Sequence, residues 1–300
     1  MAEFDNPTVS FVQDYGRNVQ MMAQQMMSRL RDKVRVESPT NGTRHYFDLY
    51  NTNDAMKQVT DRFADIQHSD TKFDRVAVDL LDYDDAKMVD SFDKMKMLID
   101  PLSPIAQAQA AQLGRQIDDI LIAGAYGNRL SGQAGATVNA FPSGQQVAVN
   151  SWAYGTGTGN SNLTISKIIE AKQKLDTAEV DDNERFLVID GIQNAKLLAT
   201  AEATSKDFVS NANLEQGKIM NFAGFTFIHS ERLPTDGSGY RRCLAFQRTG
   251  LGLAIAMEPN SDISIRKDKR SLPWQAYIAL SMGATRLEDS KVVEVKCLAT

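Results

Sequence analysis

The stretch LIDPLSPIAQAQAAQLGRQIDDILIAGAYG, Leu98 to Gly127, most constrains the fold of this chain. Asp100-Pro101 disfavours an earlier helix start, Ser103 suits an N-cap, and Pro104 suits the first helical position, where a missing N–H costs nothing. Ala106, Ala110, Leu113, Ile117, Ile120, Leu121 and Gly124 then recur at three- and four-residue spacing, with Gln109, Gln112, Gln116 and Asp119 opposite. The pattern predicts a two-faced helix from Pro104, about 30 Å long, with an αL stop at Gly124 or Gly127. A rod of that length braces a whole domain. Asp118 and Asp119 fall in its last turns, where the helix dipole disfavours a carboxylate by roughly 0.3–1 kcal/mol. They are either solvated acids or partners of a cation from another segment or subunit.

Composition narrows what the rod can belong to. The 300 residues are 42% apolar, enough for a sizeable core. No window reaches the roughly 18 uninterrupted apolar residues of a membrane span. The opening MAEFDNP has no signal-peptide character, so a cytosolic, membrane-free protein is expected. Cys243 and Cys297 fit no CxxC spacing and read as reduced strand residues. A net charge of −5 argues against a dedicated nucleic-acid binder, leaving only weak, local DNA contact.

Before the rod, residues 9 to 34 carry Phe11, Tyr15, Val19, Met22, Met26 and Leu30 at helical spacing. This predicts an amphipathic N-terminal helix whose methionines are core or an arm on a neighbouring subunit. The segments TRHYFDLYN, which contains Phe47, and DRVAVDLL, with Val76, Val78 and Leu80 on one side, read as strands around a polar excursion. Such a hairpin buries too little apolar surface to stand alone. After the rod comes a Gly/Ser/Asn-rich irregular stretch, then a helix capped by Thr164 with Ile165, Ile168, Ile169 and Leu175 inward. FLVID (Phe186 to Asp190) reads as a buried strand, and IQNAKLLATA as a helix. GFTFIHS, RRCLAF, LGLAIA, ISIRK, WQAYIALSM and KVVEVKCL read as further strands, mainly antiparallel. Without repeated βα units, this order predicts the α+β class.

No constellation along the chain would run a reaction. GTGTGN at Gly155 to Asn160 precedes a helix but lacks the P-loop Lys and a strand feeding it. Asp82, Asp84 and Asp85 lack the third ligand and the Gly of a calcium loop. His45, His68 and His229 sit in no metal or triad context. Asp190, with Asp181, Asp182 and Glu184 nearby, is the one catalytic candidate of a cytosolic α+β enzyme, and a structural turn is the simpler use. Arg266, Lys267, Lys269 and Arg270 mark a hairpin end: a solvated turn, an inter-subunit salt bridge or a contact to DNA phosphates. No cofactor or metal is called for.

A long brace, a Met-rich arm, a hairpin that needs support and no catalytic site describe a self-assembling subunit. MLIDPLSPIAQAQAAQLGRQIDDILIAGA, LTISKIIEAKQKLDTAEV, AGFTFIHSERLP, RRCLAFQRTGLGLAI and QAYIALSMGATRLEDSKVVEVKC together resemble the major capsid proteins of tailed bacteriophages. The resemblance implies the Hong Kong 97-like capsid fold and a non-enzymatic function, an icosahedral virion shell of hexamers and pentamers enclosing double-stranded DNA. It implies an N-terminal arm over 1–41, an extended loop over 42–81 and a peripheral domain over 82–182 with its spine helix at 104–124. An axial domain would span 183–262, peripheral strands 263–282 and a C-terminal strand 283–300 rejoining the axial sheet. Subunit-interface residues on this reading are Met22, Met26, Phe47, Lys57, Lys72, Asp118, Asp119, Arg266, Lys267, Lys269 and Arg270. Partners would be further copies, weakly held DNA, and portal and decoration proteins. The short segment before the first domain implies a separate scaffolding protein or none, with assembly in the host cytoplasm. An encapsulin-like nanocompartment of the same fold, holding protein cargo, is the near alternative. No motif assigns a cross-linking partner to Lys57 or Lys72.

Overall fold

A computed structural model describes residues 25–39, 42–51, 58, 65, 72–96, 102–199 and 219–299. Before the long helix come β1 (Arg35–Glu37), β2 (Arg44–Asn51), β3 (Lys72–Asp79), β4 (Leu81–Val89) and α1 (Ser91–Lys96). The long helix is α2 (Leu102–Tyr126), followed by β5 (Arg129–Ser131), β6 (Thr137–Asn139), β7 (Gln146–Val147) and α3 (Ile165–Thr177). The remainder is β8 (Arg185–Ile189), α4 (Gly191–Leu198), β9 (Asn221–Phe222), β10 (Phe225–His229), β11 (Arg241–Gln247), β12 (Leu251–Ile265), β13 (Trp274–Arg286) and β14 (Val292–Cys297). The α+β class stands.

Three sheets organise these elements. The first, β1-β12-β13-β4, is a long ribbon; the second is β7-β14-β11-β8-β10-β9; the third, β2-β3-β5-β6, holds the hairpin. The central strand β8 is buried at every position, as a continuous apolar run between two neighbours requires. Most of the core lies between this second sheet, α3 and the last turns of α2, through residues such as Leu121, Ile168, Leu175, Leu187 and Val293. Thr164 caps α3 as the sequence implies, its hydroxyl accepting from Lys167 N. Ile168 and Leu175 point inward, whereas Ile169 is exposed.

In the ribbon, LGLAIA and ISIRK are not two strands: most of both lies in the 15-residue β12, with Arg266 and Lys267 in the turn beyond it. Its first five residues, to Ile255, are buried and most of the rest is exposed. Its register against β13 shifts between Ile255 and Met257 and again between Met257 and Asn260, where the burial changes. The acidic run at Asp82, Asp84 and Asp85 is not a loop; it is β4, paired with β13 from Leu81↔Met282 to Val89↔Trp274.

The long helix departs from its sequence reading in three respects. It starts at Leu102 and runs 25 residues, so Ser103 lies within it. Gly124 is no αL stop: a Cβ there would lie 2.5 Å from Ala284 O, so the glycine lets the helix cross β13 in backbone contact. In its first half the burial is turned, with Ala106 and Ala110 exposed and Gln109 only 4% exposed. The Gln109 amide donates to Ala276 O (3.1 Å) and Asp85 Oδ2 (3.2 Å), a pairing with the ribbon that makes its burial favourable. Gln112 stays exposed, and Gln116 and Asp119 are half-buried. The Ile117, Ile120 and Leu121 part of the apolar stripe is buried as expected.

The helix proposed for residues 9–34 lies outside the described residues up to position 24, and beyond it the chain is not an α-helix. Residues 31–33 form a single 3-10 turn and β1 pairs in parallel with β12. Leu30 and Val34 are nevertheless buried.

Candidate assembly surfaces

Two questions decide what the surfaces of this chain can do: which charged groups are engaged within it, and what is left outward. The last turns of α2 answer the first. Asp118 is fully buried, and its carboxylate accepts from Ser28 Oγ (2.6 Å), the amides of Arg29 (3.1 Å) and Leu30 (3.2 Å), and the Gln25 side chain. The incoming segment crosses so closely that a Cβ on Gly114 would sit 2.8 Å from the Met27 carbonyl carbon and Ser28 N. These hydrogen bonds satisfy the buried carboxyl oxygens of Asp118 and fasten the segment ahead of β1 to the helix. Asp119 takes the cation its position called for, a bidentate pair with Arg232. Arg232 is correspondingly held more firmly protonated by its hydrogen bonds to Asp119.

The C-terminal end of α2 is held by Arg286, which is fully buried. Its guanidinium donates to the carbonyls of Ala125 (2.8 Å), Gly127 (3.0 Å) and Ala140 (3.4 Å), pairs with Asp289, and lies 4.8 Å from the Phe141 ring centroid. A cation at the carbonyl end is what the helix dipole favours. Nothing in the sequence pattern singles out Arg286; its role follows from β13 ending where α2 ends.

Asp190 is engaged structurally. It caps α4, accepting from Gln193 N at 2.8 Å, and lies buried 2.8 Å from Arg241 Nε, without the alignment of a hydrogen bond. Asp181 and Asp182 are tied to the buried Arg185 through a carbonyl and an ion pair, and Glu184 pairs with Arg248. Through these contacts the acids brace the turn ahead of β8 and the start of α4. GTGTGN lies in a loop closed by Trp152 Nε1 donating to Gly159 O (2.9 Å), and the start of α3 beside it is already capped by Thr164. His45 pairs with Glu37, and His229 lies 3.3 Å from Ile219 O; His68 is outside the described residues. Cys243 and Cys297 are free and buried in neighbouring strands. Burial lowers the Lys167 ammonium pKa beside them, and its Nζ donates to Ser161 O (2.7 Å) and Lys296 O (2.9 Å). Among the described residues no group of acids, histidines and cysteines is placed to hold a metal, and no helix is long and apolar enough to cross a membrane.

Outward apolar side chains are most numerous on the hairpin and the ribbon, with others on α3, α4 and nearby loops. Phe73, 76% exposed, and Tyr50 are cross-strand partners on the hairpin, their ring centroids 5.4 Å apart and tilted by 53°. The ribbon exposes Met88, Met257, Ile263, Ile265 and Leu272. At its end Arg266 is held by Asp268 and Gln275, while Lys267, Lys269 and Arg270 are exposed.

The interface residues expected from the sequence therefore divide. Phe47 is a correction: it is fully buried among Val76, Val78, Ala254 and Leu287, because the hairpin base packs on its own ribbon. Asp118 is another, its carboxylate enclosed by its own chain. Asp119 is engaged by Arg232, and Met26 is exposed. Lys72 begins β3. Met22 and Lys57 lie outside the described residues.

Ionisable groups that tie segments together, and two elements with outward apolar side chains, fit a structural role. The fold is shared with the capsid of cyanophage P-SCSP1u (TM-score 0.72, 14% identity, covering 97% of this chain and 94% of that one). It is shared also with the capsids of cyanophage Pam1 (0.69, 15%, covering 100% and 99%) and Ralstonia phage GP4 (0.69, 12%, covering 100% and 98%). This is the Hong Kong 97-like capsid fold. The phage capsid protein family matches residues 8–299, and the chain belongs to that family. It is a structural major capsid protein of the virion, and the family match favours a phage shell over an encapsulin-like compartment. No curated protein sequence matches it.

Proposed function

We propose that copies of this chain associate as hexamers and pentamers of an icosahedral shell around double-stranded DNA, assembled in the host cytoplasm, with no catalytic step of its own. The supporting observation is the set of exposed apolar side chains on the hairpin and the ribbon, among them Tyr50, Phe73, Met88, Met257, Ile263 and Ile265. Burying them against neighbours gives each contact a modest stabilisation that summation over a closed shell makes large. On this reading 1–41 is the N-terminal arm, 42–81 the extended loop, and 82–182 with 251–286 the peripheral domain. Residues 183–250 and 287–300 form the axial domain, the bounds expected at 262 and 282 moving to the strand ends because β12 and β13 each run on in the ribbon. Further copies are the principal partners; scaffolding, portal and decoration proteins are separate chains, and DNA is held by weak non-specific contacts. Electron microscopy of the purified protein, alone and with a co-expressed scaffold, tests the reading. Closed shells are expected, and a monomer under every assembly condition would overturn it.

A further inference from the structure

We infer that the turn joining β12 to β13, residues 266–273, is the subunit's contact to the phosphate backbone of the enclosed double-stranded DNA. The inference rests on the shell reading and names the side chains behind its DNA contact.

Each exposed arginine elsewhere among the described residues is engaged within the chain: Arg29 by the His229 carbonyl, Arg75 by Asp48, Arg232 by Asp119 and Arg248 by Glu184. The turn, RKDKRSLP, breaks that pattern. Its one acid, Asp268, is taken by Arg266 through two hydrogen bonds of 2.8 and 2.9 Å. That pairing, hydrogen bonds first, holds the Asp268 carboxyl down to about 2, so it stays ionised and bound to Arg266. Lys267, Lys269 and Arg270 are exposed and form no ion pair among the described residues. α1, tied to the turn by Ser91 Oγ donating to Ser271 O, leaves the sign unchanged, since Asp90 and Asp93 are matched along its sequence by Lys94 and Lys96.

The three cations stand on a fixed base. Arg266 N donates to Pro273 O (2.9 Å), Lys269 N to Arg266 O (3.4 Å) and Leu272 N to Lys269 O (3.3 Å). Lys267 to Arg270 spans about 10 Å of chain at most, and one DNA strand places a phosphate about every 3.4 Å of helix axis. Three neighbouring phosphates fit that span. DNA that meets three clustered cations releases the counterions condensed on it, which drives sequence-independent binding. With no asparagine or glutamine in the turn, the contact is to the backbone and independent of base sequence.

Binding of a short fluorescent DNA duplex to the full-length protein before assembly tests the contact, followed by anisotropy between about 50 and 200 mM salt. The turn variant is Lys267→Gln with Lys269→Gln and Arg270→Gln. A control removes as much charge elsewhere, through Lys172→Gln with Lys174→Gln and Lys196→Gln. Thermal melts report the fold, and electron microscopy reports the shells. Three phosphate contacts, at a slope of about −0.9 each, should weaken wild-type binding about 40-fold across that salt range. The turn variant should bind about tenfold more weakly at the lower salt, with a shallower slope and normal shells, while the control binds like the wild type.

A wild type that ignores the duplex, a turn variant that keeps its affinity and slope, or an equal loss in the control would overturn the contact alone. So would a folded turn variant that no longer forms shells, which would assign the turn to a neighbouring subunit. Binding to phosphatidylglycerol vesicles in place of the duplex would overturn it too, in favour of an anionic lipid surface. A wild type that never assembles would overturn the shell reading and the contact with it.

Discussion

Removing the Asp118 carboxylate tests how the N-terminal segment is fastened to the body. In Asp118→Ala, Ser28 Oγ, the amides of Arg29 and Leu30 and the Gln25 side chain lose their acceptor together. Hydrogen bonds to a charged group contribute about 1.5–3 kcal/mol each, so simple addition would exceed the stability of many domains. The loss has a lower ceiling, because the segment can detach and rehydrate its amides. Detachment gives up the burial of Leu30 and Val34, at roughly 1.5–3 kcal/mol per side chain. The expected cost is therefore about 3–5 kcal/mol, with residues 25–37 released and the second sheet intact. Urea denaturation measures the cost, and hydrogen exchange locates it: amides 29–37 should lose protection by orders of magnitude while β8 and β11 keep theirs. A variant with unchanged midpoint and protected amides at Arg29 and Leu30 would refute the argument.

Four further outcomes follow from the same packing. Ile117→Ala, in the buried stripe of α2, should lower stability by about 2–5 kcal/mol in chemical denaturation. Gly124→Ala gains roughly 1 kcal/mol of helix propensity but meets Ala284 O at 2.5 Å; overpacking against strand backbone should dominate and lower the melting temperature, and a rise would contradict the crossing. Arg286→Met leaves the carbonyls of Ala125, Gly127 and Ala140 without their donor and should cost about 3–5 kcal/mol by denaturant titration. The hydrogen bond with Cys297, and then burial, raise the Cys243 thiol pKa well above its usual range. Its protonated form is what the fold prefers, so this contribution is complete below the unfolded thiol's value near 8.5 and is lost as pH rises through the folded one. Denaturation midpoints measured above that pH should fall less steeply in Cys243→Ala than in the wild type.

Elements with a strong period were readable from the sequence. The apolar spacing of α2 beyond Leu113, the alternation in β2 and β13, the continuous run of β8 and the Thr164 cap each carry their own local signal. β4 was not readable, because LDYDDAKMV has the composition of a loop and becomes a strand through pairing with β13. The first half of α2 alternates Ala with Gln, which favours neither face; hydrogen bonds from Gln109 to the ribbon decide which side is buried. Residues 25–37 have helical apolar spacing, yet Asp118 claims the Arg29 and Leu30 amides and the edge of β12 takes β1. Among the expected contact residues, exposure of the basic turn followed from its charge. The burial of Phe47 did not, since it depends on the hairpin base meeting Ala254 and Leu287.

The two register shifts near Met257 make the ribbon a cantilever with its root clamped. Up to Ile255 the strand is locked in packed apolar surface; beyond it only the β13 ladder, and β4 on the far side, stiffen the beam. Bulges bend and twist a strand locally, so the change of direction along the ribbon is gathered between Ile255 and Asn260. Copies set at different tilts in a closed shell should differ chiefly in the angle at Met257, so curvature can vary from place to place without repacking any core.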